Sequence, residues 1–266
     1  MTENRRQAGV DRREAGDAAE AAQLAAALAG DEIEVFFQPQ FAVQGGALIG
    51  AEALARWRHP VLGLLGAQRL FAIAANAGLL AETLRCVALQ AMRHAQRWPD
   101  HLHLSFNITP TDLAASEFAG TVERLVAEAG FPPQRLTLEI NEGALVADLE
   151  ESARHLQHLV DLGIKIALDD FGAGFCNFGY LKRLPLHALK LDCSMVEGID
   201  EDPRDLAVLR GILAMAAALG LHVTAEGVER QGQLDALSSE GCEAWQGFLG
   251  AEPMMAEAFA RLAQGQ

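Results

Sequence analysis

From His101 onward the sequence alternates between short apolar runs and longer amphipathic stretches, and that rhythm restricts the fold more than anything else in the chain. The short runs read as strands and the longer ones as the helices that cover them. Strands are expected at His101–Ile108, Arg135–Ile140, Ile164–Leu168, Ala188–Asp192, His222–Ala225 and Glu243–Phe248. Between and after them, helices are expected at Thr111–Ala129, Glu150–Leu162, Phe178–Arg183, Arg204–Leu219, Gln231–Ser239 and Met255–Ala263. Upstream, two strand-like runs, Glu34–Val43 and Ala47–Trp57, are separated only by Gln44, Gly45 and Gly46. So short a glycine turn joins antiparallel neighbours. Helices at Ala18–Leu28, Arg69–Ala77 and Leu80–Trp98 complete the pattern. Eight strands with covering helices predict an α/β fold, a modified (β/α)8 TIM-like barrel whose first strand runs antiparallel.

The chain has 266 residues, 50% of them apolar, enough for one large domain over residues 18–266. Residues 1–17 are polar with mixed charge and read as a disordered lead. A formal charge of −15 argues against a surface for nucleic-acid polymers, which needs a basic stripe. A small anionic substrate stays compatible with that charge when bound cations reverse its sign locally. Cys86, Cys176, Cys193 and Cys242 form no CxxC pair, which fits a reduced, cytoplasmic compartment. The most apolar stretch, Leu206–Ala225, is interrupted by Arg210, Gly211, Gly220 and His222, so it reads as a buried helix and strand and implies no membrane partner. The first twenty residues are charged and lack the apolar segment of a signal peptide.

The chemistry sits where the strands end. The run Ile164–Leu168 stops at two adjacent carboxylates, Asp169 and Asp170, with a glycine-bounded turn behind them. Other runs end at Glu52, Asn107, Glu139, Glu226 and Gln246, and another carries Lys190 and Asp192. In a barrel these ends converge on one rim, where such folds keep their chemistry. Alone, Glu52 or Glu226 would be a salt-bridge partner, Asn107 a loop cap, and Lys190 a lysine snorkelling out of an apolar run. Together they form a rim of acids that repel one another unless cations bind. Oxygen ligands of this kind suit Mg²⁺, Mn²⁺ or Ca²⁺, and two divalent ions are a common device for activating water against a phosphodiester.

The motifs around these residues identify a resemblance. Glu52-Ala53-Leu54 with Arg56, Trp57, His59 and Pro60, Phe37-Gln38-Pro39, Phe106-Asn107-Ile108-Thr109-Pro110 and Leu138-Glu139-Ile140-Asn141-Glu142 all match the EAL domain family of cyclic di-GMP phosphodiesterases. So do Leu168-Asp169-Asp170-Phe171-Gly172, Leu189-Lys190-Leu191-Asp192, Ala225-Glu226-Gly227-Val228-Glu229 and Gln246-Gly247-Phe248. The resemblance covers roughly residues 20 to 260. It implies hydrolysis of cyclic di-GMP to linear pGpG with two Mg²⁺ or Mn²⁺ per site. Carried over by position, Glu52, Asn107, Glu139 and Asp169 resemble ligands of one cation, and Asp169 and Asp170, with Glu226 close by, those of the second. Lys190 resembles the lysine that orients or deprotonates the attacking water. Glu229 and Gln246 look like groups that position water, joining Lys190 and Glu52 as candidate catalytic residues. Gln38, Arg56 and Asp192 resemble substrate contacts, and Glu142 a glutamate bracing the loop after Asp170. The family often forms homodimers through the loop and helix after Asp170.

The chain departs from the family in that loop. Where the family reads close to DFGTGYSS, this sequence has Asp170-Phe171-Gly172-Ala173-Gly174-Phe175-Cys176-Asn177, without the threonine, tyrosine and serine hydroxyls. That change supports an alternative, a cyclic di-GMP receptor that binds without cutting. The complete set of candidate ligands favours the enzyme. Cys176 reads as a small packing residue, and His155 and His158 as a solvated helix face with no zinc pattern.

Overall fold

The computed structural model describes residues 19–141, 149–174 and 178–265. The chain falls into two compact units, one built from Phe37–Ala53 and Met92–Gln266, the other from the chain through Phe36 and from Leu54–Ala91. In order, the first elements are α1 (19–29), β1 (Ile33–Ala42), β2 (Leu48–His59), β3 (Gly63–Gly66), α2 (Ala67–Ala77) and α3 (Leu80–Ala95). There follow β4 (His103–Ile108), α4 (Pro110–Leu113), α5 (Phe118–Ala129), β5 (Leu136–Asn141), α6 (Leu149–Asp161) and β6 (Lys165–Phe171). The chain continues with α7 (Phe178–Arg183), β7 (Ala188–Leu191), α8 (Pro203–Leu219), β8 (His222–Ala225), α9 (Gln231–Glu240), β9 (Ala244–Trp245), β10 (Met254–Met255) and α10 (Ala256–Gln264).

The strands run β1-β9-β8-β7-β6-β5-β4-β2, and a β1–β2 pairing closes the ring. From β2 through β4 and on to β9 every pairing is parallel, while β1 runs antiparallel to β9 with Phe41 opposite Trp245. The expected barrel with a reversed first strand is therefore present. Alternation along β1 buries Ile33, Val35, Phe37 and Phe41 on one face and places Gln38, Gln40 and Ala42 on the other. Phe37 packs edge-on to Trp98 at 5.0 Å and lies 5.9 Å from Phe259, whose ring is 4.4 Å from Trp98. This layer between strands and helices, with Leu104, Leu138, Ile166 and Leu189 fully buried, is the apolar core of the larger unit.

Several boundaries differ from the sequence expectation. The single helix expected over Thr111–Ala129 is two: the one-turn α4, whose start is fixed by a capping box between Thr109 and Asp112, and α5. Helix α5 then restarts at Phe118, which is 3% exposed, and buries the stripe Val122, Leu125, Val126 and Ala129. The last strand, expected over Glu243–Phe248, is only Ala244–Trp245. Its ladder extends one step, with the Gln246 N–H donating to the Ala225 carbonyl at 2.9 Å, and stops at Gly247. A Cβ there would lie 2.1 Å from the Val228 carbonyl oxygen, so the close backbone approach requires glycine. In the smaller unit, β3 pairs antiparallel to β2 with Arg56 opposite Gly66, a hairpin not expected from the pattern. Among the described residues no helix is long and apolar enough to cross a membrane. Cys86, Cys193 and Cys242 are free thiols.

Candidate active site

Glu52, Asn107, Glu139, Asp169, Asp170, Lys190, Asp192, Glu226 and Gln246 all belong to the larger unit. Strand alternation turns Glu139 of β5, Asp169 of β6 and Lys190 of β7 to one side, and β-ladder register sets Asn107 beside Glu139. Lys190, 2% exposed, is the centre. Its Nζ lies 3.2 Å from Glu52 Oε2, 2.7 Å from Glu139 Oε2, 3.1 Å from Asp169 Oδ1 and 2.6 Å from Glu226 Oε1. Asn107 Nδ2 donates to Glu52 Oε1 at 2.6 Å. Gln246 Nε2 donates to Glu52 Oε2 at 2.8 Å and to Glu226 Oε1 at 3.0 Å.

The local backbone explains how β6 offers two consecutive acids. The β6–β7 register shifts between Leu168 and Phe171, and Asp170 sits at φ 56°, in the left-handed region. Aspartate tolerates that conformation better than most residues, and the bulge lets Asp169 stay buried while Asp170 is exposed just beyond it.

Four carboxylates face one ammonium, and the charge states follow from that imbalance. Burial alone would lower the Lys190 ammonium pKa, but Glu139, Glu52, Glu226 and Asp169 together hold it well above its ordinary value. Burial pushes Glu52 up, and Lys190 with the Gln246 and Asn107 hydrogen bonds more than offsets this, so Glu52 ends below its ordinary value. For Glu139, burial and then the Glu52 charge prevail over Lys190 and raise it well above the carboxylate range. Burial also lifts Glu226, to about 7, against the pull of Lys190. Asp170 is raised by burial and by its neighbour Asp169.

The donors are all oxygen, the chemistry that hard divalent cations take. Asp169 Oδ1, although near Nζ, lies outside hydrogen-bonding direction and is a buried carboxylate oxygen with no hydrogen-bond partner. One ammonium leaves it unsatisfied, so in charge and donor type these residues fit a cation. In arrangement they do not form a ready cage: among the described residues no three Asp, Glu, His or Cys side chains are grouped to hold a metal ion, because the carboxylates close on Lys190.

The other expected site residues divide. Asp192 is half-buried and caps the turn after β7, accepting from the Ser194 N–H at 3.0 Å and the Ser194 hydroxyl at 2.6 Å. The hydroxyl bond, then the backbone bond, holds its carboxyl below the ordinary value against burial. Glu229 is exposed, and among the described residues no hydrogen bond ties its carboxylate to the cluster. Gln38 shares a face of β1 with Gln40. Arg56 belongs to the smaller unit, where its guanidinium lies 5.6 Å from the Phe36 ring centre and donates to the Ala55 carbonyl at 3.0 Å. Glu142, Cys176 and the rest of 175–177 lie outside the described residues. His158 and His155 bind Glu123 and the Leu113 carbonyl, as ordinary helix-face residues do.

Two residues of the network were not among the expected ones. Gln40 Nε2 donates to Gln246 Oε1 at 3.0 Å and lies 3.3 Å from the Ser105 hydroxyl, so it holds the amide that holds Glu52. The signal for Gln40 was its place two residues from Gln38, on the same face of a strand.

The EAL domain family profile matches residues 21–253. The chain is 35% identical over 236 residues to the cyclic di-GMP phosphodiesterase NbdA of Pseudomonas aeruginosa, covering 87% of this chain and 30% of that protein. It is also 35% identical over 231 residues to the cyclic di-GMP phosphodiesterase RocR of the same organism, covering 86% and 59%. The chain thus spans about a third of NbdA and under two thirds of RocR. The solved PaMucR phosphodiesterase in complex with c-di-GMP superposes with TM-score 0.83 at 32% identity, covering 90% of this chain and 99% of that one. The fold, the strand-end constellation and the match over most of its length agree: this chain belongs to the EAL domain family.

Proposed function

We propose that the chain is a metal-dependent phosphodiesterase that hydrolyses cyclic di-GMP to linear pGpG in bacterial second-messenger signalling. The observation that carries this reading is Lys190 buried among Glu52, Glu139, Asp169 and Glu226, with Asp169 Oδ1 left without a hydrogen-bond partner. NbdA, RocR and the PaMucR domain, similar over most of this chain, are phosphodiesterases associated by name with the same nucleotide.

Glu52, Asn107, Glu139 and Asp169 would hold one Mg²⁺ or Mn²⁺, and Asp169, Asp170 and Glu226 a second, whose charge would acidify water and offset that of the phosphate oxygens. The protein's own part is orientation. Lys190, its Nζ set among these acids, is placed to hydrogen-bond a water or a phosphoryl oxygen and fix its direction. Asn107 and Gln246 lock the two oxygens of Glu52, and Gln246 ties Glu52 to Glu226. Gln38, Arg56 and Asp192 are the proposed substrate contacts, and Glu229 a water-positioning group at the exposed edge.

The test is incubation of the pure chain with cyclic di-GMP and Mg²⁺, Mn²⁺ or EDTA, with products separated by chromatography. Metal-dependent pGpG is the expected result. Cyclic di-GMP that stays intact for hours in every metal sinks the enzyme reading, and if it still binds, the chain is a receptor.

A further inference from the structure

Below the Lys190 cluster, toward the N-terminal ends of the strands, the inside of the barrel is hollow. Barrels of this architecture usually fill that space with layers of branched side chains. Here the inward positions are small, including Ala42, Ala167, Ala188 and Ala244 with Thr137 and Thr224, and they leave a cavity of about 380 Å³. That is within the range of about 300–1,000 Å³ typical of small-molecule sites. Its inner wall is Glu139 and Lys190, approached from the side away from the strand ends.

The polar groups at the cavity wall are mostly basic: His101, His103, His187, His222 and Lys165, against the single exposed acid Glu243. Glu243 is engaged, accepting from the Val223 N–H at 2.9 Å and lying 3.8 Å from His222. Lys165, exposed at the start of β6, has no ion-pair partner among the described residues. His103 Nδ1 is buried with no hydrogen-bond partner, whereas buried polar atoms are normally bonded. His187 Nδ1 accepts from the Ile166 N–H at 3.3 Å, and the ring also hydrogen-bonds the Pro185 carbonyl. Burial first, and then the Lys165 charge, lowers the pKa of both His103 and His187, so Lys165 supplies the fixed positive charge and the rings neutral hydrogen-bonding groups.

We propose that this cavity binds a small molecule bearing one oxyanion, a carboxylate or phosphate, on a compact apolar body. The anion sits at Lys165 and the imidazoles, and the body lies among the alanine and threonine side chains. The site opens on the side of the Lys190 cluster away from the strand ends and shares Glu139 and Lys190 with it as a common wall.

The experiment titrates the full chain with benzoate, benzamide and inorganic phosphate, following the imidazole resonances of isotope-labelled histidines by NMR. Benzoate is expected to shift His103 and His187 saturably, with benzamide at least about tenfold weaker because it lacks the charge. Lys165→Met should weaken benzoate by a similar factor, and Thr224→Leu, which fills the cavity, should abolish its binding. Lys165→Met, at an exposed position, keeps the test decisive if Thr224→Leu does not fold. Saturable phosphate shifts at His103 and His187 that Lys165→Met weakens would identify the oxyanion as the phosphate type and support the site. The proposal is overturned if benzoate and phosphate both fail to saturate at tens of millimolar, if benzamide binds as well as benzoate, or if Thr224→Leu leaves the benzoate shifts unchanged.

Discussion

Two lysines stand at opposite ends of the same strands and meet opposite surroundings. Lys190 is buried at the C-terminal side with four carboxylates within 3.2 Å of its ammonium. Lys165 opens β6 on the N-terminal side, exposed, beside histidines and a hollow lined by small residues. Along β6 itself, Lys165, Ala167 and Asp169 alternate onto one face, so a single strand supplies a cation to one end and an anion to the other. The lesson is that this barrel gains little from apolar packing inside. Apolar side chains such as Phe37, Trp98 and Phe259 pack in the layer outside the strands, and the interior holds mostly small and polar ones.

The sharpest way to break this comparison is to make the ends alike. Lys190→Met removes the one ammonium that the described residues bring to the acid cluster and leaves its carboxylates without it. Breaking a buried pair costs about 3–5 kcal/mol, so urea unfolding in EDTA should show a loss of that order. Mn²⁺ should restore more stability to the variant than to the wild type, while pGpG production is lost. Unchanged unfolding in EDTA would mean that Lys190 does not neutralise the cluster.

The next effect is the acid end's own contribution to pH dependence. Glu226 titrates at about 7 in the fold, against an ordinary value of 4.5. At Glu226 the native state therefore binds more protons than the unfolded chain between those values, and the stability this group contributes without metal should fall as pH rises through that window. That is opposite in sign to the contribution of His103 and His187. Glu226→Gln should flatten the fall, and so should saturating Mn²⁺. Chemical denaturation at a series of pH values in EDTA measures it; a slope unchanged in Glu226→Gln would assign the titration to another member of the cluster.

The acid end was legible because Glu139 and Asp169 stand near the ends of apolar runs that had to be strand, whereas Glu52, expected at a strand end, lies in the middle of β2, which continues to His59. The alternation that revealed them also hid Gln40, since a glutamine in mid-strand beside Pro39 carries no mark of function until the ring closes and sets it against Gln246. The other end could not be read at all. His101, His187 and His222 stand where strands begin, and in sequence they look like polar boundaries. The β7–β8 pairing sets His222 beside His187, and closure of the ring through the β1–β2 pairing brings His101 round to the same opening. The β2–β3 hairpin was missed for a local reason: Pro60 and Gly63, at φ 74°, flank a turn whose return strand is only four residues long.

A smaller test asks how far the acid network extends toward the hollow. Gln40→Leu removes the donor to Gln246 Oε1, an oxygen on a side chain only 4% exposed. An unmet buried acceptor costs about 1–3 kcal/mol, and loss of a group supporting a site residue about 10–100-fold in activity. A drop in turnover larger than the change in substrate affinity is the expected pattern. If both stay at wild-type values, Gln246 holds Glu52 without help from β1.

The smallest expected effect on stability belongs to the other lysine, and its smallness is the point. Lys165 is exposed and unpaired among the described residues, so Lys165→Met should move the unfolding free energy by no more than about 0.5 kcal/mol. The same substitution at Lys190 is expected to cost several times that. Burial and the number of facing carboxylates, not residue type, separate the two. A large loss at Lys165 would show that the histidine end is also held together by charge, and the hollow would then be a structural element in its own right. A negligible loss, together with weaker benzoate binding, would leave Lys165 a role only in what the cavity holds.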